Sequence, residues 1–304
     1  MEKVYDIVIV GMGFAGYSGA IYAARYGLKT LIIGEMFGGQ TAEAHIIGNY
    51  PGFEEITGME LMQKVQQQSI KLGVEELYER IEKVEKQEER FVLYSREGTK
   101  IHAKKVLLTI GVVRKKLHVP GEQEFYGKGV TYCATCDGFF YKEKDVAVIG
   151  GGDSAVTAAL YLADICPNIH LLVRGDKLRA EQYWVDKLLS HPAITIHYKT
   201  SVTKFVGTDA LTEIHTNNPE LKTLPVQGAF IEIGHEPNTV FTDALGIKTD
   251  EGGYIIVTEE QETSVPGIYA AGDSTTASNK FAQLLTAGSE AAIAVEAMAK
   301  ELTT

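Results

Sequence analysis

The sequence predicts an α/β protein made of two Rossmann-like dinucleotide-binding domains, the second inserted into the first. Three observations carry that expectation. A short apolar run leads straight into a G-x-G-x-x-G turn at residues 11–16, and the arrangement returns as G-x-G-x-x-A at residues 150–155. Each turn is followed by small residues of helical character and then by a second apolar run, the order a βαβ unit requires. Between the two lies Cys133-Ala134-Thr135-Cys136-Asp137-Gly138, two cysteines spaced for a small disulfide with an acid directly after them.

Composition bounds the possibilities. Of 304 residues, 45% are hydrophobic and 23% charged, as in soluble globular proteins with volume for one large domain or two ordinary ones. Acids outnumber bases by 40 to 29, a net charge of −11. That argues against a nucleic-acid binder, whose affinity needs a basic face. Three cysteines are too few for a secreted disulfide scaffold, so a reducing cytoplasm is expected, where a disulfide is transient and catalytic. Met1-Glu2-Lys3-Val4-Tyr5-Asp6 lacks the apolar run and cleavage site of a signal peptide. No window approaches the ~20 apolar residues of a membrane span, and no membrane partner is expected.

The first βαβ unit opens with Asp6-Ile7-Val8-Ile9-Val10, long enough for a buried parallel strand. Gly11 permits the turn, Gly13 lets backbone approach a pyrophosphate, and Gly16 lets helix and strand pack closely. The pyrophosphate would rest on the N-terminus of a helix spanning residues 17–26, where free N–H groups and the dipole favour anions. Lys29-Thr30-Leu31-Ile32-Ile33 is the second strand, with Glu35 the acid nearest its end for a ribose contact. Gly38-Gly39-Gln40-Thr41 and Asn49-Tyr50-Pro51-Gly52 read as loops, shaped around a ligand or simply as turns. A helix is expected over residues 58–72, then strands at 91–94 and 106–111, the latter ending in Gly111.

The cysteine pair admits two chemistries. A Cys-x-x-Cys motif lowers the pKa of one thiol, so that a thiolate can exchange with another disulfide while Asp137 carries the proton. Half a zinc site is the rival, but zinc needs four ligands. The only other cysteine is Cys166, and no histidine lies within six residues of Cys133 or Cys136. Directly after the pair come a strand at residues 145–149, the second fingerprint with Gly150, Gly152 and Ala155, a helix over 156–163 and a strand at 169–173. Two fingerprints imply two dinucleotides, with electrons passing between two carriers and a disulfide. Later, Val265-Pro266-Gly267-Ile268-Tyr269-Ala270-Ala271-Gly272-Asp273 reads as a strand ending in Gly-Asp. A helix over residues 281–300 follows, whose N-terminus could favour a reduced, anionic flavin.

On these residues the chain resembles the low-molecular-weight thioredoxin reductases over essentially its full length, most specifically at Cys133-Ala134-Thr135-Cys136-Asp137-Gly138-Phe139-Phe140-Tyr141 followed by the second fingerprint. The resemblance implies an FAD domain from residues 1–115 and 240–304, with an NAD(P) domain of residues 116–239 between them and hinges near 115–117 and 234–238. It places FAD against Gly11, Gly13, Gly16, Gly39, Gln40, Asn49, Gly272, Asp273 and Gln283. It makes Cys133, Cys136 and Asp137 the catalytic residues, with Cys136 nearer the flavin, and implies a thioredoxin-like partner and a homodimer. Phe139 and Phe140 read as a docking surface for that partner or as residues buried against the rest of the chain.

The sequence departs from the family at the electron donor. NADPH users in the family carry His-Arg-Arg-x-x-x-Arg after the second βαβ strand, where this chain reads Val173-Arg174-Gly175-Asp176-Lys177-Leu178-Arg179. Arg174 and Arg179 survive to hold the 2′-phosphate of NADPH, and no carboxylate stands at Val173 to favour NADH. Ala282 also replaces the arginine common before Gln283. A ferredoxin donor, a small-molecule dithiol oxidase and a non-catalytic flavin sensor are the alternatives. His170, His235, Cys166 and Trp184 are expected to be structural, and Lys128 occupies a position where relatives often carry a partner-contacting arginine.

Overall fold

The computed structural model describes residues 3–88 and 90–303. The chain forms two compact units, one from the segments ending at Val113 and resuming at Glu236, the other from Arg114–His235.

In the first unit, the strands run in the order Glu75–Leu77, Thr30–Ile33, Val4–Val10, Lys100–Leu108, Arg90–Ser95 and Ile81–Gln87, and Ile268–Ala270 also pairs with Lys100–Leu108. The pairings from Glu75–Leu77 through Lys100–Leu108 to Ile268–Ala270 are parallel, and the last two strands of the order extend the sheet antiparallel. Successive strand residues point to opposite faces, and both faces are buried. Ile7 and Ile9 join a core with Tyr17, Ala20, Ala291 and Val295, whereas Val8 and Val10 pack with Leu31, Phe91, Ile255 and Ile268. The helices Phe14–Arg25 and Leu284–Thr303 approach closely because their facing residues are small. A Cβ on Gly19 would lie 2.9 Å from Leu107 and 3.5 Å from Ala291.

Register brings the C-terminal ends of the parallel strands to one edge. Val10 pairs with both Ile33 and Leu108, and Ala270 with Leu108. Gly11, Gly34, Thr109 and Gly272 therefore all lie just beyond strand ends, where ligands bind in open α/β sheets. The closing helix starts at Leu284 rather than at 281, because Ser278, Asn279 and Lys280 take left-handed backbone angles first.

The second unit holds a parallel sheet ordered Ile194–His197, Ile169–Leu172, Val146–Ile149, Gly228–Ile231 and Val130–Thr131. An antiparallel sheet of Val202–Gly207, Leu211–Thr216 and Thr223–Pro225 covers part of its core. The helix Asp153–Ala163 packs on the other side with Val146, Val148, Leu171 and Phe230.

Candidate active site

Cys133 and Cys136 are joined in a disulfide. The Val130–Thr131 strand delivers the chain to Cys133, which caps the short helix Ala134–Asp137 and accepts a 3.2 Å hydrogen bond on its sulfur from the Cys136 amide. Buried Ala134 anchors that turn. Gly138 lets it lie against the following helix, since a Cβ there would stand 2.9 Å from Tyr161 and 3.0 Å from Leu162. Asp137 follows on the same turn, and its Oδ2 accepts the hydroxyl of Thr131. Phe139 and Phe140 are 71% and 72% exposed. Tyr141 turns inward onto Phe230 at 5.2 Å, and its phenol is pushed above its ordinary value by burial and then by Asp137.

The first fingerprint has the geometry of a phosphate cradle. Gly11 holds φ +124°, and a Cβ there would lie 2.2 Å from the Thr109 carbonyl oxygen. A Cβ on Gly16 would fall 2.0 Å from the Gly11 carbonyl oxygen, so only glycine brings helix and turn this close. A Cβ on Gly13 would meet nothing within 4 Å, which leaves room above the helix N-terminus. No side chain among the described residues caps that helix, whereas Thr57 caps the Gly58–Lys71 helix through the Glu60 amide. Uncapped N–H groups beside empty space fit a pyrophosphate.

Sequence-distant residues complete this rim. Asn49 Nδ2 donates to Gln283 Oε1 at 3.1 Å, and Gln40 Nε2 to the Val112 carbonyl at 2.7 Å. Buried Glu290 accepts the Gly272 amide at 2.7 Å. Burial and then Glu290 push the Asp273 carboxyl above the ordinary carboxylate range. Gly39 and Gly111 take positive φ angles that suit glycine. Glu35 is exposed and pairs with Arg96 at 3.1 Å and Arg80 at 3.4 Å, so a ribose contact would compete with two guanidinium groups.

The second fingerprint repeats the turn. Gly150 holds φ +150° with its would-be Cβ 2.1 Å from the Glu232 carbonyl oxygen and 2.8 Å from Ala155, while Gly152 opens onto empty space. Its helix also lacks a side-chain cap among the described residues. The Arg179 amide donates to the Gly151 carbonyl at 2.7 Å and the Glu181 amide to Asp153 Oδ1 at 2.7 Å, which ties the arginine-bearing loop to the fingerprint. Arg174 and Arg179 are both exposed, and neither side chain has an ion-pair partner among the described residues.

The four residues expected to be structural all make packing or hydrogen-bond contacts or are at least partly buried. His170 Nδ1 lies 3.1 Å from His197 Nε2 in the sheet. His235 is pushed down to about 4 by burial and then by Arg114 and Lys115. Cys166 is buried, donates to the Tyr141 carbonyl and is pushed up to about 11 by burial. Trp184 packs on Tyr183 at 4.9 Å. Sequence reasoning missed Thr131, Glu122 and Glu290. Glu122 accepts the Leu117 and His118 amides at 2.8 and 2.6 Å and the Tyr132 hydroxyl at 2.7 Å, bracing the chain beside Cys133. Burial alone would raise its carboxyl, but these donors hold it below the ordinary range. Its only sequence signal is its place in Pro120-Gly121-Glu122, an ordinary turn.

Residues 5–291 match the pyridine nucleotide-disulphide oxidoreductase family. A thioredoxin reductase of Mycoplasma pneumoniae is 37% identical over 97% of this chain and 94% of its own length. The crystal structure of Lactococcus lactis thioredoxin reductase (FR conformation) superposes with a TM-score of 0.93 at 34% identity, over 98% of this chain and 99% of that one. The crystal structure of T. acidophilum thioredoxin reductase gives the same TM-score and identity over the whole of both chains.

Proposed function

From the premise that the chain belongs to the pyridine nucleotide-disulphide oxidoreductases, we propose that it is a thioredoxin-disulfide reductase working through Cys133 and Cys136. The observation that carries the reading is the closed Cys133–Cys136 disulfide beside Asp137, in the unit that bears the second dinucleotide fingerprint. FAD belongs to the first unit, against Gly11, Gly13, Gly16, Gly39, Gln40, Asn49, Gly111, Gly272, Asp273 and Gln283. NADPH belongs to the second, against Gly150, Gly152, Ala155, Arg174 and Arg179. The open second glycines and uncapped helices support both assignments.

When bound, NADPH and FAD together supply the two electrons that open the disulfide. With two protons, Cys133 and Cys136 become a dithiol. One of them, as thiolate, attacks the disulfide of a thioredoxin-like protein, forming a mixed disulfide and releasing one partner sulfur, which takes a proton. The second cysteine then loses its proton and attacks the first. That step re-forms Cys133–Cys136 and releases the second partner sulfur to be protonated. Asp137, the residue directly after Cys136, is the group assigned to hold and return these protons. The exposed Phe139 and Phe140 form the apolar part of the docking surface.

A groove of about 580 Å³ in the first unit, lined by Phe14, Tyr22, Tyr26, Tyr50, Leu285 and Ile293, supports a homodimer formed through this face. A cytoplasmic location accords with a transient, catalytic disulfide.

The direct test is anaerobic bleaching of the bound flavin by NADPH, NADH and a reduced ferredoxin, followed by addition of oxidised thioredoxin. Fast bleaching by NADPH and reoxidation by thioredoxin are expected. Bleaching by ferredoxin alone overturns the donor assignment. Bleaching without reoxidation by any protein disulfide, joined with oxygen uptake on a small dithiol, overturns the reductase assignment in favour of an oxidase.

A further inference from the structure

We propose that Thr131 is a positioning residue for the disulfide exchange, its hydroxyl orienting Asp137 and fixing the backbone of Cys133; this rests on the reading of Asp137 as the proton carrier. Thr131 is the last residue of the Val130–Thr131 strand and is 3% exposed. Its register against Phe230 fixes the backbone. Alternation then sends neighbouring side chains opposite ways. Tyr132 reaches Glu122, and Thr131 reaches Asp137.

The hydroxyl does two things. Its oxygen accepts the Cys133 amide at 3.3 Å, and its proton goes to Asp137 Oδ2. A hydroxyl has one proton to donate, so a lone pair occupied by the amide directs that proton to the carboxylate. Asp137 Oδ1 accepts no hydrogen bond from the described residues, which leaves it for proton transfer. One buried side chain thus links the backbone of a redox cysteine to the acid that serves it. A threonine kept only for its strand propensity or its methyl packing would be replaced by valine without consequence, since the two have nearly the same shape. Valine here removes the donor to a carboxylate and leaves the Cys133 amide unpaired.

The test is a double-mutant cycle with Thr131→Val, Thr131→Ser and Asp137→Asn in the flavin-loaded enzyme, following reduction of a purified thioredoxin disulfide by stopped flow. Thr131→Val is expected to slow exchange about tenfold with KM for thioredoxin little changed, and Thr131→Ser to restore it. In the Asp137→Asn background Thr131→Val should cost clearly less than tenfold, because the part of its effect that runs through the carboxylate is already lost and only the unpaired Cys133 amide remains. A second readout needs no flavin turnover. In the dithiothreitol-reduced protein, the pH profile of iodoacetamide alkylation should shift in Thr131→Val and keep its wild-type midpoint in Thr131→Ser.

Thr131→Val with a wild-type rate and profile overturns the proposal. A tenfold loss that persists undiminished in the Asp137→Asn background does the same, since it marks a purely structural role. If Asp137→Asn itself leaves exchange untouched, the reading of Asp137 fails first and this proposal falls with it. A slow Asp137→Asn beside a normal Thr131→Val sinks this proposal alone.

Discussion

At residues 11–16 and again at residues 150–155 the chain makes the same turn for the same reason. In each, the first glycine has a positive φ and sits too close to a neighbouring carbonyl for any Cβ, while the second faces empty space over an uncapped helix. The surroundings differ. The first turn is ringed by residues from across the sequence, with Asn49 bonded to Gln283 and Glu290 holding the Gly272 amide. The second is bordered by a single local loop, and the two arginines that loop offers there, Arg174 and Arg179, are both exposed. On the proposed function, the turn marks where a dinucleotide would lie. The rim would then decide how firmly it is held and which one it is. On this reading the first dinucleotide is a resident group and the second an exchanging substrate.

The largest expected effect falls on the disulfide, which on the proposed function hands the electrons on to the protein partner. Cys136→Ser removes one half of the disulfide, and thioredoxin reduction should drop to the background rate. The flavin should still bleach under anaerobic NADPH, because neither fingerprint is touched. Retained turnover in Cys136→Ser would mean that electrons leave by another route. A variant that no longer bleaches would mean that Cys136 is needed for reduction of the flavin itself.

Next come the first glycines, which test whether the two turns are equivalent in fold but not in ligand. Gly11→Ala and Gly150→Ala each force a Cβ into a carbonyl oxygen, at 2.2 and 2.1 Å, on a backbone with positive φ. Each should cost about 3 kcal/mol of stability, strain and overpacking together. Gly11→Ala should purify without flavin. Gly150→Ala should keep its flavin and lose bleaching by NADPH. Absorbance at the flavin band reads both, and an equal loss of flavin in the two variants would erase the distinction. Gly13→Ala and Gly152→Ala sharpen the same comparison, because neither new methyl meets a protein atom. Stability should stay within about 0.5 kcal/mol of wild type. Flavin affinity should fall in the first variant and the KM for NADPH should rise in the second.

The same contrast explains what was legible in the sequence. Both turns and their flanking strands could be read, since apolar runs beside spaced glycines are local patterns, and the disulfide lay in one short segment. The rim could be anticipated only through resemblance, because nothing local ties Asn49 to Gln283 or Gln40 to Val112. Thr131 and Glu122 were not seen at all. Each acts by a hydrogen bond whose partner is chosen by a turn, and a threonine ending a strand or a glutamate after Pro-Gly carries no signal of its own. The closing helix began late for a related reason, as the left-handed turn at Ser278, Asn279 and Lys280 contains no glycine to announce it.

The smallest effects are expected at the rim of the second fingerprint, where they bear on the donor. Arg174 is exposed, so water screens it and its loss should raise the KM for NADPH only about tenfold, less at high salt, while the KM for NADH stays unchanged. Gly175 offers the opposite change. A Cβ there would have only the Lys177 backbone nearby, at 3.7 Å, so Gly175→Arg should be accommodated without strain. It places a second guanidinium beside Arg174, and the KM for NADPH should fall by a few-fold, with NADH again indifferent. Steady-state kinetics with both nucleotides at two salt concentrations separates the outcomes. Should Arg174→Ala and Gly175→Arg move NADPH and NADH together, or move neither, the loop does not read the 2′-phosphate and the donor is recognised elsewhere.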